Sequence, residues 1–202
     1  MTRHKSQEER RHQILEAARL CFIRQGYEHS RMNDIAKAAE LSKGGVYFHF
    51  SSKREIFDAL VEEIFNESML AMKAIRENPG TMAIKFQTLA LFYLGIYATR
   101  PEWTGFLVVV SEMAIRDDEL RGRLQGLHQV FIDEVQNLLR TGIAAGELRS
   151  VNITTTAALL KGMIDGLERH YALGDQHDLM ALVNDAVDMV MNGLAPTDST
   201  PS

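Results

Sequence analysis

The chain has 202 residues, of which 46% are hydrophobic, and its formal net charge is −5 at pH 7. This length allows one domain or two small ones with a sizeable core. A single cysteine, Cys21, excludes an internal disulfide and a cysteine-rich metal site, and suits a reducing compartment. The N-terminal residues lack the apolar stretch of a signal peptide, and the longest strongly apolar run, 106–110, is too short to span a bilayer. We therefore expect a cytoplasmic protein.

The charge is distributed unevenly along the chain. Residues 1–54 contain eleven Lys and Arg against six Asp and Glu, a net charge of +5. Residues 55–202 contain eleven against 21, a net charge of −10. A basic N-terminal part followed by an acidic body indicates a localised nucleic-acid-binding surface and two functional parts.

The hydrophobic pattern predicts an all-α protein of nine helices, because few stretches alternate with period two. Helix 1 is predicted over 8–25 and ends at Gly26. Two short helices follow, with Ser30 and Ser42 as their N-caps. A capping box at positions 52–55 then opens helix 4. The later helices are predicted over 53–78, 81–99, 102–115, 117–145, 153–173 and 176–191.

Residues 30–54 form the segment around which the chain is organised. Its first short helix has one apolar face and ends at the turn Glu40-Leu41, and its second is anchored by Val46 and Phe50. Helices of about seven residues are not stable alone. Two of them joined by a short turn and braced by longer helices indicate a helix-turn-helix. The apolar face of the first helix consists of Met32, Ile35, Ala36 and Ala39.

The second short helix has an unusual outer surface. Lys43, Gly44, Gly45, Tyr47 and His49 face away from its two apolar anchors. Each glycine inside a helix costs about 1 kcal/mol relative to alanine. Close approach of this backbone to DNA would explain the two glycines, and tight packing on a neighbouring helix would explain them equally well.

This segment resembles the DNA-binding motif of the TetR family of bacterial repressors. The resemblance implies that the second short helix enters the major groove, that Tyr47 and His49 contact phosphates, and that Lys53 holds a phosphate. Arg31 is assigned to the same DNA surface. Glu40 stands where the family usually has glycine, so we expect a positive φ and backbone strain there. The matching runs are Ile35-Ala36-x-x-Ala39, Leu41-Ser42-Lys43-Gly44 and Val46-Tyr47-x-His49-Phe50-x-Ser52-Lys53.

Four regions follow from this reading. A flexible basic arm (1–7) precedes the DNA-binding domain (8–54), whose helix-turn-helix spans 31–50. A ligand-binding and dimerisation domain (55–193) shares helix 4 with it, and a disordered tail rich in Pro, Ser and Thr (194–202) follows.

Aromatic residues and methionines recur at helical spacing on helices 5 to 8. Taken alone, this pattern favours an ordinary core over a binding cavity. The family resemblance implies instead an effector site among these helices. The apolar side chains favour an apolar or amphiphilic effector, and the acidic body with Asp165 nearby favours a neutral or cationic one. The predicted ligand-binding residues are Tyr93, Trp103, Phe106, Met113, His128, Phe131, Met163, Asp165 and His170.

Helices 8 and 9 are predicted to form the dimer interface. Gly162 and Gly166 lie four residues apart, so they give helix 8 a smooth face that a second helix can approach. Helix 9 carries an apolar stripe that would be exposed in a monomer, which proteins in water rarely tolerate. This stripe consists of Leu179, Leu182, Val183, Ala186 and Val190.

The sequence predicts a sequence-specific, homodimeric transcriptional repressor that a small effector releases from a palindromic DNA operator. Two symmetric motifs would read half-sites about 34–36 Å apart or a multiple of that distance. One alternative is a DNA-bound structural protein with a cavity-free body and no effector. The other is an enzyme that uses the apolar cavity. No nucleophile–base pair, metal-ligand set, phosphate-binding loop or cofactor motif stands out in the sequence, so we expect neither catalysis nor a cofactor.

Overall fold

A computed structural model of the chain describes residues 6–172, 174 and 178–194. Within this part of the chain, nine α-helices and no β-strand are present, which confirms the predicted all-α class. None of the described helices is both long and apolar enough to cross a membrane. The helices are α1 (Gln7–His29), α2 (Met32–Ala38), α3 (Lys43–His49), α4 (Lys53–Glu77), α5 (Met82–Thr99), α6 (Pro101–Ala114), α7 (Asp118–Ala144), α8 (Ile153–Ala172) and α9 (Leu179–Leu194).

The chain divides into two compact units whose limits differ from the predicted domains. The first unit comprises residues 1–67 and 102–121, and the second comprises 68–101 and 122–202. α4 therefore contributes residues to both units, and most of α6 belongs to the first. A boundary at residue 54 would separate side chains that pack on one another in the core of the first unit.

An aromatic cluster forms that core. The Phe22 ring lies 6.0 Å from the Phe57 ring and 6.3 Å from the Phe106 ring, centroid to centroid. Tyr27 adds contacts of 5.4 Å to Phe22 and 5.0 Å to Phe57. The three phenylalanines are fully buried. Since aromatic side chains bury large apolar areas, this cluster joins α1, α4 and α6 into one core.

The helix ends in the first unit confirm some predicted caps and correct others. Gly26, with φ 76° and ψ 161°, interrupts α1 near the predicted position. Ser30 does not cap α2, since it is buried and its hydroxyl donates to the Gly26 carbonyl over 2.8 Å. The N-cap of α2 is Arg31, whose backbone N–H donates to the Asp34 carboxylate over 3.0 Å.

In the second unit, α5 packs against α8 and α9. The core draws on these helices and on α4 and α7, with Phe86, Leu89, Phe131 and Ile164 among its buried side chains. The predicted Asn152 cap of α8 is confirmed, because its side-chain oxygen accepts the Thr155 N–H over 3.0 Å.

α9 differs from its prediction at both ends. It begins at Leu179, where the Asp178 carboxylate accepts the N–H groups of Met180 and Ala181. The predicted first turn at 176–177 lies outside the described residues. Leu194, assigned to the tail, is the buried last residue of α9. The rest of that tail, and residues 1–5 of the arm, also lie outside the described residues, while Ser6 and Glu9 form a capping box at the start of α1.

Candidate nucleic-acid interface and apolar cavity

The turn between α2 and α3 has the geometry of a Schellman motif. The Glu40 N–H donates to the Lys37 carbonyl over 3.1 Å, and the Leu41 N–H donates to the Ala36 carbonyl over 2.9 Å. Glu40 has φ 53°, as the resemblance predicted, and is the one described non-glycine residue with a positive φ. The turn therefore keeps the shape that glycine favours, with a glutamate in the left-handed position.

α3 is held by its inner face and its first turn. Val46 and Phe50 are 0% and 1% exposed, which confirms both predicted anchors. The Ser42 hydroxyl accepts the Gly45 N–H over 3.1 Å, as expected of an N-cap. The Arg11 guanidinium lies 4.3 Å from the centroid of the Phe50 ring and covers it. A helix of seven residues is thus fixed by contacts outside itself.

The outer face of α3 is open. Lys43, Gly44, Tyr47 and Phe48 are exposed, whereas Gly45 and His49 are half-buried at its edges. A Cβ atom built on Gly44 would have the Ser42 hydroxyl, 4.0 Å away, as its nearest neighbour. Packing on a neighbouring helix of the described chain therefore does not explain Gly44, and close approach to DNA stays the predicted explanation.

Arg31 and Lys53, the two further predicted DNA contacts, lie outside the outer face of α3. Arg31 is exposed at the start of α2. The Lys53 ammonium donates to the Tyr27 carbonyl over 2.6 Å and to the Glu28 carbonyl over 3.3 Å, and lies 4.1 Å from the Tyr27 ring centroid. Burial lowers the pKa of Lys53, although the charge of Glu28 opposes the shift. Lys53 thus also binds the end of α1, and its role is partly structural.

An apolar cavity of about 50 Å³ lies between α5, α8 and α9 of the second unit. Of the nine predicted ligand-binding residues, Met163 alone is on its wall. For the apolar candidates, the sequence could not separate the two cases, because a core residue and a cavity residue have the same apolar character. The lining residues are Phe86, Leu89, Ala90, Leu94, Leu160, Met163, Ile164, Leu167, Ala186, Val187 and Val190.

Trp103, Phe106 and Met113 belong to the first unit, and the structure does not bring them to this cavity. Trp103 is 6% exposed, with the Arg19 guanidinium 4.3 Å from its ring centroid. Phe106 is part of the aromatic cluster. These three residues therefore do not line this cavity, and their assignment to a ligand site stays a prediction.

The other predicted ligand residues lie on the second unit, away from the cavity wall. Tyr93 packs edge-on against Phe131 with a centroid distance of 5.0 Å. Lys161 occupies a face of Phe131, with its ammonium 5.2 Å from the ring centroid, and forms an ion pair with Asp165. Asp165 therefore already has a cationic partner. The remaining two residues, His128 and His170, are exposed.

The apolar stripe of α9 is turned largely inward. Val183 is fully buried within the described chain, so it is not available to a dimer partner. Ala186 and Val190 are half-buried and line the cavity, and their place in a dimer interface stays a prediction. Leu179 and Leu182 are half-buried. Periodicity predicted an apolar face correctly, but the partner that covers it is α5 or α8 of the same subunit.

The predicted smooth face of α8 is open. A Cβ atom built on Gly162 or Gly166 would meet nothing within 4 Å. Leu159, which precedes Gly162 on this face, is 65% exposed, and Met189 of α9 is 63% exposed. Leu159 and Met189 are not among the predicted interface residues, although Leu159 stands seven residues before Gly166 and so shares its helical face.

Among the described residues, no group of three or more His, Cys, Asp or Glu side chains could hold a metal ion. The geometry instead presents an anchored short helix with an open face, a separate apolar cavity and an uncovered glycine face. These features define a helix-turn-helix protein of the DNA-binding class.

Comparisons with known proteins identify the family. The sequence profile described as "Bacterial regulatory proteins, tetR family" matches residues 14–60, and the profile described as "BetI-type transcriptional repressor, C-terminal" matches residues 86–192. The chain belongs to the TetR family of DNA-binding transcriptional regulators. The uncharacterised HTH-type transcriptional regulator YfiR of Bacillus subtilis is 29% identical over 161 residues, which cover 79% of this chain and 78% of that protein.

Solved structures support the same fold. A transcriptional regulator from Saccharomonospora viridis in complex with choline has a TM-score of 0.78 and 20% identity, covering 95% of this chain and 100% of that one. The regulator FadR from Bacillus subtilis in complex with stearoyl-CoA has a TM-score of 0.70 and 22% identity, covering 91% of this chain and 98% of that one.

Proposed function

We propose that the protein is a cytoplasmic, homodimeric repressor that binds a palindromic operator through α3 and leaves it when an apolar effector occupies the cavity of the second unit. The observation that carries this proposal is the open face of α3, where Lys43, Gly44, Tyr47 and Phe48 are exposed above two buried anchors. The C-terminal profile, described as that of a repressor, supports repression over activation.

Each predicted contact residue of the interface has a chemistry that fits one part of the DNA. Lys43, in the first turn of α3, suits acceptor groups on base edges in the major groove. Arg31, Tyr47 and His49 suit phosphate oxygens, which position a protein on the duplex without reading its sequence. Lys53 has three donors, of which two contact carbonyls, so the third remains for a phosphate.

The open faces of α8 and α9 support a second copy of the chain as the dimer partner. Gly162 and Gly166 allow close approach of a helix, and Leu159 and Met189 would lose exposed apolar area on association. This surface replaces the α9 stripe predicted from the sequence. A twofold dimer also matches the symmetry of a palindromic operator.

An apolar effector is supported by the cavity lining, which contains only hydrocarbon and thioether side chains. The expected preference for a neutral or cationic effector loses the support of Asp165, since Lys161 forms an ion pair with it. The stearoyl-CoA in the Bacillus subtilis structure has a long apolar chain of the kind that such a lining accepts. We propose that α4, a continuous helix with residues in both units, couples the cavity to the DNA-binding unit.

The cavity volume favours a second candidate, a regulator without a small effector. Ligand pockets usually measure about 300–1,000 Å³, whereas this cavity is about 50 Å³. An effector would therefore have to separate α5 from α8 and α9, at a cost in packing.

The test begins by mapping the protein's binding sites on its own genome and measuring affinity for the recovered duplex by fluorescence anisotropy. Stearoyl-CoA is then added as an apolar probe and choline as a cationic one. We expect stearoyl-CoA to weaken operator binding. A tenfold effect corresponds to about 1.4 kcal/mol of coupling, and the operator must weaken binding of the probe by the same factor. Equal affinities with and without either probe would favour the effector-free candidate, and failure to bind any recovered duplex would contradict the proposed function.

A matched pair of variants locates the effector. Ala186→Leu fills the cavity from α9, whereas Ala181→Leu adds the same atoms on the exposed side of that helix. Only the first should abolish the response to stearoyl-CoA. Loss of the response in both variants would place the probe elsewhere.

A further inference from the structure

Phe48 has an exposure that the fold does not require. The residue is 72% exposed, although it lies within the last turn of a seven-residue helix. Each helical residue advances by about 100°, so Phe48 lies about 200° from the buried Val46 and points away from the core. A phenylalanine in water forgoes the stabilisation that burial would give. On the open face of α3, which the proposed function places against DNA, this exposure suits a contact that forms with a partner.

The surroundings of Phe48 restrict the kind of partner. Gly44 lies one turn before it on the same face, without a side chain to cover the ring. The His49 ring packs edge-on against it with a centroid distance of 5.1 Å. Lys43 and Tyr47 are exposed beside it, with the Lys43 ammonium 5.7 Å from the Tyr47 ring centroid. An apolar ring with cationic and polar neighbours suits a partner that is anionic overall but has a small apolar group.

DNA has such a group in the major groove. Among the base edges there, the 5-methyl group of thymine is the apolar feature, and aromatic side chains contact it. The surrounding phosphates match the basic neighbours of Phe48. The bare Gly44 allows the helix backbone to approach closely enough for the ring to touch a base.

We infer that Phe48 reads a thymine in each operator half-site through van der Waals contact between its ring and the thymine methyl group. This inference rests on the proposed function, since it requires α3 to lie in the major groove. It assigns sequence discrimination to an apolar side chain that the family motif leaves variable. In this proposal Lys43 recognises a base by hydrogen bonds, and Phe48 recognises a second base, thymine, by apolar contact.

Deoxyuridine provides a direct test, because it differs from thymidine by that methyl group alone. Each thymine of the operator is replaced in turn, together with its symmetry mate, and affinity is measured by fluorescence anisotropy. We expect one symmetric pair of replacements to lower the operator affinity of the wild-type protein by about fourfold per half-site. This factor follows from burying one methyl-sized group. Phe48→Ala should bind the thymine duplex more weakly and respond to deoxyuridine at that position by less than twofold.

Two further variants serve as controls. Phe48→Leu keeps an apolar side chain and should retain part of the deoxyuridine response. Ile115→Ala changes a residue that is also 72% exposed but lies in the turn after α6 of the same unit, and it should respond like the wild type. Circular dichroism should show the same helix content in all three variants, as expected for exposed positions.

The outcomes separate this inference from the proposed function. If the wild type binds the operator but no deoxyuridine replacement weakens it, the inference is wrong and the proposed function stands. The same holds if Phe48→Ala weakens thymine and deoxyuridine duplexes by equal factors at every position, since Phe48 would then contact backbone or a protein partner. If the wild type binds no duplex, both fail.

Discussion

Arg54 and Asp117 are joined by a hydrogen bond of 2.5 Å from the guanidinium to the carboxylate, 63 positions apart in the chain. The other carboxylate oxygen accepts the Leu120 N–H over 3.0 Å and so caps α7. Arg54 also binds Asp58 through two contacts of 2.9 Å. One carboxylate therefore both starts α7 and connects it to α4 within the first unit.

These contacts of Asp117 predict that part of the free energy of unfolding is lost at low pH. The hydrogen bonds from Leu120 and Arg54 lower the pKa of Asp117 below its ordinary value. Because the folded pKa lies below the unfolded one, Asp117 stabilises the fold fully above the unfolded pKa, and this contribution disappears as pH falls through the folded pKa. Asp117→Asn should therefore lower the free energy of unfolding at pH 7 more than at pH 3. Urea melts at both pH values measure the difference. Asp118→Asn, which removes an exposed neighbour, should change both melts by similar small amounts.

Glu40 is predicted to be strained. Its φ of 53° is unfavourable for any residue with a Cβ atom. Glu40→Gly should leave the free energy of unfolding unchanged or raise it by about 1 kcal/mol, because relief of the strain is partly offset by the greater freedom of glycine in the unfolded chain. Glu40→Ala keeps the Cβ atom and serves as the control, with an expected change within about 0.5 kcal/mol. Clear destabilisation by glycine alone would show that the glutamate conformation carries little strain.

Gly44 should show opposite effects on stability and on DNA binding. Gly44→Ala adds a methyl group in open space and improves helix propensity, so it should stabilise the protein by up to about 1 kcal/mol. If DNA approaches this backbone, the same methyl group should weaken operator affinity. Gly126→Ala, at an exposed helical glycine of α7, should stabilise to a similar degree with unchanged affinity. Thermal melts and anisotropy titrations measure both quantities, and unchanged operator affinity in Gly44→Ala would exclude close approach at that position.

Replacing Lys43 and replacing Lys53 are predicted to weaken DNA binding in different ways. Lys43→Ala should lose about 1–3 kcal/mol of binding and relax the preference at one operator position. Lys53→Ala should weaken all sequences alike and reduce the magnitude of the salt slope by about one unit. It should also cost about 1 kcal/mol of stability, since it removes the donors to the Tyr27 and Glu28 carbonyls. Titrations at several salt concentrations, on matched and mismatched duplexes, separate the two. Identical profiles would refute the assignment.

The dimer surface can be tested without disturbing the core. Leu159→Asp places a charge on an open face where 65% of the side chain is exposed, so the subunit should remain folded while the dimer dissociates. Leu70→Asp is the matched control on α4 of the same unit, with 68% exposure, and should leave the dimer intact. Light scattering reports the mass of each variant. A Leu159→Asp protein that remains a dimer would place the interface elsewhere.

The sequence by itself determined the helices and the DNA-binding motif, because the signals for both are local. Each of these signals depends on a few neighbouring residues. They are the hydrophobic period, the caps at Ser42 and Asn152, and the break at Gly26. The positive φ of Glu40 was also predictable from its place in the motif.

Tertiary structure alone decided which surface covers each apolar face. Periodicity gives α9 an apolar stripe, but only its packing against α5 shows that Val183 is buried within the chain, whereas Leu182 is half-buried. Trp103 and Phe106 were likewise assigned to a ligand site from a local apolar pattern. In the structure, α6 packs in the first unit. A side chain gains the same free energy from burial against a core, a ligand or a second subunit. The choice among these depends on contacts between residues distant in the chain, which a local pattern does not contain.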